Sequence, residues 1–227
     1  MTPYKTWLTM TLALCSVASY ARADVLLRER GLNIDGAVYD DPFGVPLPPL
    51  GGTFDTVTGL GTMILTISGA GTHNALAFVD HDIDKALNTS FNELGSAIGA
   101  PAAGQSWELG DPYNSTIFTD FSGAGLTDSS LLTGAGVNNG DDVSMALGWS
   151  FLLGPGETAN ITWLLSERPP VGGFYLEQTD PDSQKNIYFS SSLAISSNVP
   201  DGGMSLGMLG AGLFVLYTLK SRRHTTG

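Results

Sequence analysis

The chain has 227 residues, of which 22 are acidic and 10 basic, and its formal net charge is −12. A surface this acidic repels the phosphate backbone, which argues against a nucleic-acid partner. Apolar residues make up 42% of the chain and follow regular patterns, so intrinsic disorder is excluded as well.

The first 23 residues have the organisation of a secretory signal peptide. Lys5 supplies the positive charge, residues 8–18 form the apolar segment, and Ala21 and Ala23 provide the small residues of a cleavage site before Asp24. The only cysteine, Cys15, lies inside this segment, so the mature protein would form no disulfide. We expect signal peptidase to release a mature protein that begins at Asp24, outside the inner membrane.

Residues 24–198 are long enough to form one domain with its own hydrophobic core. Residues 32–35 and 37–39 predict a strand pair or a sheet edge, which prolines between positions 42 and 49 then interrupt. Further strands are predicted by alternation of apolar and polar residues over 61–68, 75–84, 105–109, 115–121, 142–153, 159–165, 174–178 and 187–195. Trp149 and Trp163 belong to the inward series, as do Ile187, Phe189, Leu193 and Ile195. One helix is predicted over residues 90–98.

Short alternating strands separated by Gly, Pro, Asn and Asp turns are typical of antiparallel sandwiches. We therefore predict an all-β fold, with a single jelly-roll-like antiparallel β-sandwich as the exported domain.

The domain offers no recognisable catalytic motif. The sequence contains no Gly-x-Ser-x-Gly elbow, no metalloprotease helix and no glycine-rich phosphate loop. Its three histidines are His73 in a turn, His81, and His224 in the tail, and the carboxylates are too numerous for one pair to be singled out. We expect a protein that is not an enzyme and has no cofactor, with calcium as the one possible exception.

Calcium is suggested by the alternating carboxylates Asp80, Asp82 and Asp84. They begin like an EF-hand loop, but Lys85 stands where glycine is needed and Phe91 where the bidentate Glu belongs. On a strand the three carboxylates would share one face and repel one another, unless water or a cation separates them. Acidic turns at Asp180 and Asp182 and at residues 138–142 could also hold calcium, although plain turns need no metal.

A carbohydrate-binding surface would need exposed aromatic rings. The candidates for this role are Trp107, Tyr113, Tyr175 and Tyr188.

The tail has three parts in a fixed order. A short motif, Val199, Pro200, Asp201, Gly202 and Gly203, precedes an uncharged apolar run at residues 204–219, and Lys220, Arg222 and Arg223 follow it. As a helix the run would span roughly 24 Å, which is short for a hydrocarbon core of about 30 Å. Three glycines weaken that helix further. The basic residues would stay on the cytoplasmic side of the membrane.

This tail resembles the PEP-CTERM sorting signal of Gram-negative exoproteins, in a Val-Pro-Asp variant. Asp201 stands where the prototype has Glu, and the second Pro is absent. The resemblance implies that an exosortase-like membrane protease removes the tail after transient anchoring in the inner membrane. The pair Gly202 and Gly203 also fits a tail type that rhomboid-like proteases process, and an ordinary single-span anchor is a further alternative. Segments 99–108, 141–149, 179–183 and 187–191 are similar to exported domains of PEP-CTERM proteins, a similarity that brings no known activity.

Between Asp24 and Gly203 the 22 acidic residues face five basic ones, a net charge near −17. Such a surface suits solubility outside the cell, or divalent cations shared with acidic polymers. From the tail we expect a non-catalytic cell-surface or secreted protein, a structural or adhesive component of an exopolysaccharide matrix or biofilm. The alternatives are a secreted module that binds glycan or calcium, and a plain membrane-anchored periplasmic protein.

Overall fold

A computed structural model describes residues 25–40, 45–84, 92–134 and 141–197. Within these ranges the chain forms twelve strands and one short helix, and the strands make two six-stranded sheets. The predicted all-β class is therefore confirmed. The proposed signal cleavage site (Ala21, Ala23, Asp24), the sorting motif at residues 199–203 and the basic stop (Lys220, Arg222, Arg223) lie outside the described residues. Among the described residues, no helix is long and apolar enough to cross a membrane.

The first sheet has the strand order β2-β1-β5-β9-β7-β8 and is antiparallel except for its last pair, β7 and β8. Its strands are β1 (Val25–Ile34), β2 (Ala37–Asp40), β5 (Gly71–Ile83), β7 (Gln105–Gly110), β8 (Ser129–Ser130) and β9 (Ser144–Leu153).

The second sheet has the order β3-β4-β10-β12-β11-β6 and is antiparallel throughout. Its strands are β3 (Gly51–Gly52), β4 (Gly61–Ser68), β6 (Leu94–Ile98), β10 (Glu157–Ser166), β11 (Tyr175–Asp180) and β12 (Lys185–Ser197).

The predicted strand pair near the N-terminus is the β1–β2 hairpin. Its two turn residues, Asp35 and Gly36, have φ values of 51° and 85°, which tight two-residue hairpins of the I′ type require. Asn33 supports the turn, because its Oδ1 accepts the Gly36 N–H at 3.0 Å.

Apolar side chains from both sheets meet in one hydrophobic core. The predicted inward series is buried there: Met63, Leu65, Ile67, Ala77, Val79, Ile83, Val143, Met145, Leu147, Trp149, Phe151, Ala159, Ile161, Trp163, Leu165, Ile187 and Phe189. The Trp163 indole N–H crosses between the sheets and donates to the Leu147 carbonyl at 3.2 Å. Leu193 is partly buried against the core.

Ile195 lies on the inward face as predicted, because it pairs with buried Ala159, but its side chain is 44% exposed. Strand β11 pairs with β12 only as far as Ser190, so the last residues of β12 are paired on one side alone. The end of β12 is thus an edge of the sheet.

Residues 115–121, predicted as a strand, instead contain helix α1 (Ile117–Ser122). The Asp111 side chain accepts the N–H groups of Tyr113 and Asn114 at 2.8 and 2.9 Å and closes a turn just before it. Ile117 and Phe121, four residues apart, then lie on one helical face and are both buried. That face covers the outer side of the first sheet.

The helix predicted over residues 90–98 was also wrong where the structure describes it, because Leu94–Ile98 is strand β6. A nine-residue helix is marginal without strong packing, and here pairing with β11 supplies the backbone hydrogen bonds instead. Gly95 disfavours the helix as well, and it lies against Leu132 and Val143, where a Cβ would not fit.

Candidate functional site

The outer face of the first sheet is covered by the protein's own chain. Ile117 and Phe121 of α1 pack on Leu76, Phe78 and Ala146 and form a second, smaller core. The Asn33 amide holds the end of the helix by donating to the Phe121 and Ser122 carbonyls at 2.8 and 2.9 Å.

Beside α1, the same face carries a set of carboxylates that we call the acidic cluster. Its members are Glu29, Asp40, Asp80, Asp82, Asp111 and Asp142, of which Glu29 and Asp82 are half-buried and the others buried. Strand register places Glu29 directly opposite Asp80. Arg28 contacts the cluster through its Nε, which lies 3.1 Å from Asp82 Oδ2.

Polar protein groups hold part of the cluster in place. The Ser144 hydroxyl donates to Asp80 Oδ1 at 3.1 Å, and the Asp142 N–H donates to Asp111 Oδ2 at 3.4 Å. The Asn114 amide donates to the same Asp111 oxygen at 2.9 Å. These donors are neutral, so they add no positive charge to the cluster.

Burial and mutual repulsion therefore favour protonated carboxyls. Burial raises the pKa of Asp80 to about 7, and the charges of Asp82 and Glu29 add to the effect. The pKa of Asp142 rises to about 8 because of burial and the neighbouring Asp80, Asp82 and Asp111. Burial and Asp40 raise the pKa of Glu29 to about 7. Near neutral pH the cluster carries fewer charges than it has carboxyls.

A further buried acid, Glu93, lies next to the cluster. Its Oε2 accepts the Val143 N–H at 3.0 Å and the Gln178 amide at 2.6 Å. Burial, with a smaller contribution from Asp142, nonetheless raises the pKa of Glu93 to about 8.

His81 lies on the same strand as Asp80 and Asp82 but faces the other way. It is fully buried, and burial lowers the pKa of its ring to about 4, although an interaction with the Gly59 backbone raises that pKa in part. The neutral ring therefore does not compensate the acidic cluster.

The predicted calcium ligands are not all on one strand face. Asp80 and Asp82 lie in β5, but the strand ends at Ile83, and Asp84 has a φ of 51°. Asp180 accepts the N–H groups of Asp182 and Ser183, both at 3.2 Å, and closes its own turn. Among the described residues, no three His, Cys, Asp or Glu side chains are arranged to hold a metal ion. Calcium binding at these residues stays a prediction.

The four candidate aromatic residues do not form one platform. Tyr188 is buried, its hydroxyl accepts the Asn186 amide at 3.0 Å, and its ring lies edge-on to Tyr175 at 5.8 Å. Trp107 is half-buried and contacts the Phe174 ring at 5.7 Å. Tyr113 is 78% exposed, in the turn before α1.

The outer face of the second sheet is open and nearly uncharged; we call it the neutral face. Its outward strand positions are mostly Ser, Thr, Asn and apolar residues, and Glu177 carries the one charge among them in the described strands. Residues that pair across neighbouring strands form rows on this face. The first row is Ile98, Tyr175, Ser190, Leu164 and Thr62, and the second is Ser192, Thr162, Ile64 and Gly51. The next two rows are Ala194, Asn160 and Thr66, and Ser196, Thr158 and Ser68.

A groove of about 250 Å³ crosses the neutral face. Its floor contains Thr62, Thr162 and Leu164, and one side is formed by the loop that includes Pro170 and Gly172. Other lining residues are Gly173, Phe174, Ser190, Ser191 and Ser192. None of these residues is charged.

A second concavity of about 410 Å³ lies beside Leu47, Leu50 and Phe54. Arg30 lines it, with its guanidinium carbon 5.0 Å from the centre of the Phe54 ring. The cation is thus already stacked on an aromatic ring of the protein.

Sequence analysis found only part of the acidic cluster and only part of the neutral face. It singled out Asp80 and Asp82 but not Glu29, Asp40, Asp111 and Asp142, because strand pairing brings these together from distant positions. The neutral face did have a sequence signal: the outward positions of β10 and β12 carry Ser, Thr and Asn rather than charges, in a chain rich in acids.

Comparisons with known proteins identify no relative. No protein-family model matches the chain, and searches of curated proteins and of solved structures found no match either.

Proposed function

We propose that this chain is a non-catalytic exported protein, a structural or adhesive component of an extracellular matrix, which makes its contacts through the neutral face. The observation that supports this most directly is the charge distribution. In a segment with a net charge near −17, the outward positions of the second sheet's described strands carry a single charged residue, Glu177.

A charge-free face is suited to lasting contact. Burying an ionised carboxylate against a partner costs several kcal/mol unless it is paired, whereas hydroxyl groups can exchange water for other hydrogen-bonding partners. Acidic molecules also repel one another, so contacts with anionic polymers or with further copies form most easily where charge is absent.

Export and sorting are part of the same proposal. Signal peptidase would cut before Asp24, the tail would hold the protein at the inner membrane for a time, and an exosortase-like protease would cut near Val199 and Pro200. The released domain would then reach the cell surface or the exopolysaccharide. The rival proposal is a permanent single-span anchor.

We also propose that the sandwich is jelly-roll-like. The support is that successive strands change sheets at the β2–β3, β4–β5, β5–β6, β6–β7 and β9–β10 connections, as they often do in double-sheet jelly rolls.

The test of the contact surface uses two double variants in the native host. Ser192→Asp with Ala194→Asp adds two charges to exposed outward positions of β12. Ser150→Asp with Leu152→Asp adds the same charges at the same spacing on exposed positions of β9 in the first sheet. The proposal predicts that the β12 variant moves from the matrix fraction into the medium, while the β9 variant stays. Equal retention of both variants would show that the neutral face makes no contact there.

The test of sorting is intact mass after cell fractionation. Pro200→Ala with Asp201→Ala should leave unprocessed protein in the inner membrane, with its domain still folded. Removing the charges of Lys220, Arg222 and Arg223 should instead impair retention before cleavage. Wild-type protein that keeps its tail through Gly227 and stays in the inner membrane would support the permanent anchor.

A further inference from the structure

We propose that the groove on the neutral face binds a neutral glycan chain, one sugar ring at a time. This inference rests on the proposed function, because it names the partner of the same face.

The lining of the groove matches the two chemical surfaces of a neutral sugar. Leu164 and Pro170 offer apolar contact to the C–H groups of a pyranose ring, and Leu164 is 38% exposed on the floor. Around it are hydroxyl groups, each of which can donate and accept a hydrogen bond, as sugar hydroxyls also do. Apolar contact with a few placed polar groups is the usual composition of a small-molecule site.

The hydroxyls are available to a ligand. Thr162, Ser190 and Ser192 form no side-chain hydrogen bond within the described part of the chain. Register places Ser190 beside Leu164, and Ser192 beside Thr162, so these groups flank the apolar floor from the neighbouring strand. The Thr62 hydroxyl is shared with Thr53 at 2.8 Å and closes the far end of this row.

The wall of the groove is held in shape. Gly172 donates its N–H to the Pro170 carbonyl at 3.0 Å, which tightens the loop behind two consecutive prolines. A Cβ on Gly99 would collide with the Gly173 carbonyl, so the loop lies close against the end of β6. A preformed wall reduces the entropy that a ligand must overcome when it binds.

Charge determines the class of ligand. Lys185 forms an ion pair with Glu167 of the loop at 3.1 Å, and the exposed Arg168 that follows Glu167 does not line the groove. The net charge near −17 repels polyanions such as uronic-acid polymers. The groove is also smaller than the roughly 300–1,000 Å³ of pockets that enclose a whole drug-sized ligand. An extended uncharged chain that contributes one ring to the groove and further rings to the hydroxyl rows fits these features.

The test is isothermal titration calorimetry on the protein purified from its host, with detergent if it remains in the membrane. The probes are the neutral β-1,4- and α-1,4-linked glucose hexamers, with hexagalacturonate as the anionic control. We expect at least one neutral hexamer to bind with a Kd on the order of 0.1–1 mM, and hexagalacturonate not to bind.

Matched variants locate the site. Leu164→Asp should raise the Kd at least tenfold, while Leu152→Asp, at a 68% exposed position of the first sheet, should change it less than twofold. Thr162→Val keeps the shape of the side chain but removes one hydroxyl, and should weaken binding a few-fold. Urea unfolding of each variant checks that it remains folded.

Three outcomes would overturn the inference: no heat with either neutral hexamer, equal binding of hexagalacturonate, or equal effects of Leu164→Asp and Leu152→Asp. Sedimentation that shows a dimer abolished by Leu164→Asp, without sugar binding, would assign the face to a second copy of the chain. If sugars fail but the β12 double variant still leaves the matrix, only the glycan inference falls. If that variant is retained, the proposed function falls.

Discussion

The two outer faces of this sandwich are built in opposite ways. The first sheet is covered by helix α1 and has acidic side chains buried beside it, whereas the described residues of the second sheet leave a face of hydroxyl groups open. On the covered face, charge is tolerated at a cost to stability. On the open face, charge is nearly absent among the described residues. We therefore expect the first face to matter most for stability, and under the proposed function the second face makes the contacts.

The largest expected difference between the faces is in stability. Phe121 of α1 is fully buried, and its ring centre lies 5.5 Å from that of Phe78. Phe121→Ala should therefore lower the free energy of unfolding by about 3–5 kcal/mol. Ile64 is half-buried on the open face, and Ile64→Ala should cost about 1 kcal/mol. Urea denaturation measures both. Similar losses would mean that something also covers the second face.

Two glycines give a finer comparison. A Cβ on Gly31 would lie 2.8 Å from the Phe121 ring, so Gly31→Ala should push α1 outward and cost about 1–3 kcal/mol. A Cβ on Gly51 of the neutral face would lie 3.5 Å from Ile64, an ordinary contact, and Gly51→Ala should change stability by less than about 0.5 kcal/mol. Thermal unfolding of the two variants provides the measurement, and a tolerated Gly31→Ala would argue against close packing of α1.

The acidic cluster predicts that stability falls as the pH rises from the ordinary Asp value of 3.8 to about 8, and then levels off. A carboxyl whose native pKa is raised keeps a proton that the unfolded chain has lost, so its contribution is present at low pH and disappears through pKa values of about 7 and 8. The slope is about 1.4 kcal/mol per pH unit for each such proton. His81 has the opposite effect on stability between pH 4 and 6.5. In this range its imidazole is protonated in the unfolded chain but neutral in the folded protein, so stability rises with pH.

Asp142→Asn isolates this effect from other titrating groups. It removes the acid of highest pKa in the cluster and should flatten the decline of the urea midpoint between pH 6.5, the ordinary His value, and about 8. Asp55→Asn is the control: backbone N–H groups lower the pKa of exposed Asp55, so its titration lies at acid pH. An unchanged slope in Asp142→Asn would show that the cluster is not protonated in the native state.

The smallest expected effect concerns calcium. If a cation joins the cluster, 10 mM CaCl₂ at pH 8.5 should stabilise the protein by about 1.4 kcal/mol for a Kd near 1 mM, relative to NaCl of equal ionic strength. At pH 6 protons compete and the gain should shrink. Asp80→Asn with Asp82→Asn should abolish it. No gain at pH 8.5 would remove the calcium prediction, and a gain that survives the double variant would move the site towards Asp180 and Asp182.

Local patterns predicted most of the fold. Alternation placed Met145, Leu147, Ile161 and Trp163 in the core, because a half-buried strand needs an apolar residue at every second position. Residues 115–121 were assigned to a strand because six helical residues are too few for a clear period. Segment 94–98 became a strand because pairing with β11, which is not local, outweighed a weak helical pattern.

The candidate sites were harder to predict for the same physical reason. The pKa of Asp80 depends on Glu29 and Asp82, and Glu29 is far away in sequence and adjacent only through the β1–β5 register. Similarly, the neutral face is a property of six strands together. Single strands show polar positions, but only the sheet order shows that these positions join into one surface.

The most direct test of the contact surface is hydroxyl-radical footprinting of the protein in its native matrix and after purification. The account predicts that Ile64, Leu164 and Tyr175 on the neutral face react less in the matrix than in solution. Leu152 and Tyr113, both well exposed on the opposite side of the fold, should react equally in both states. Protection of Leu152 and Tyr113, with Leu164 and Tyr175 as reactive as in solution, would contradict the account and assign contact to the other face.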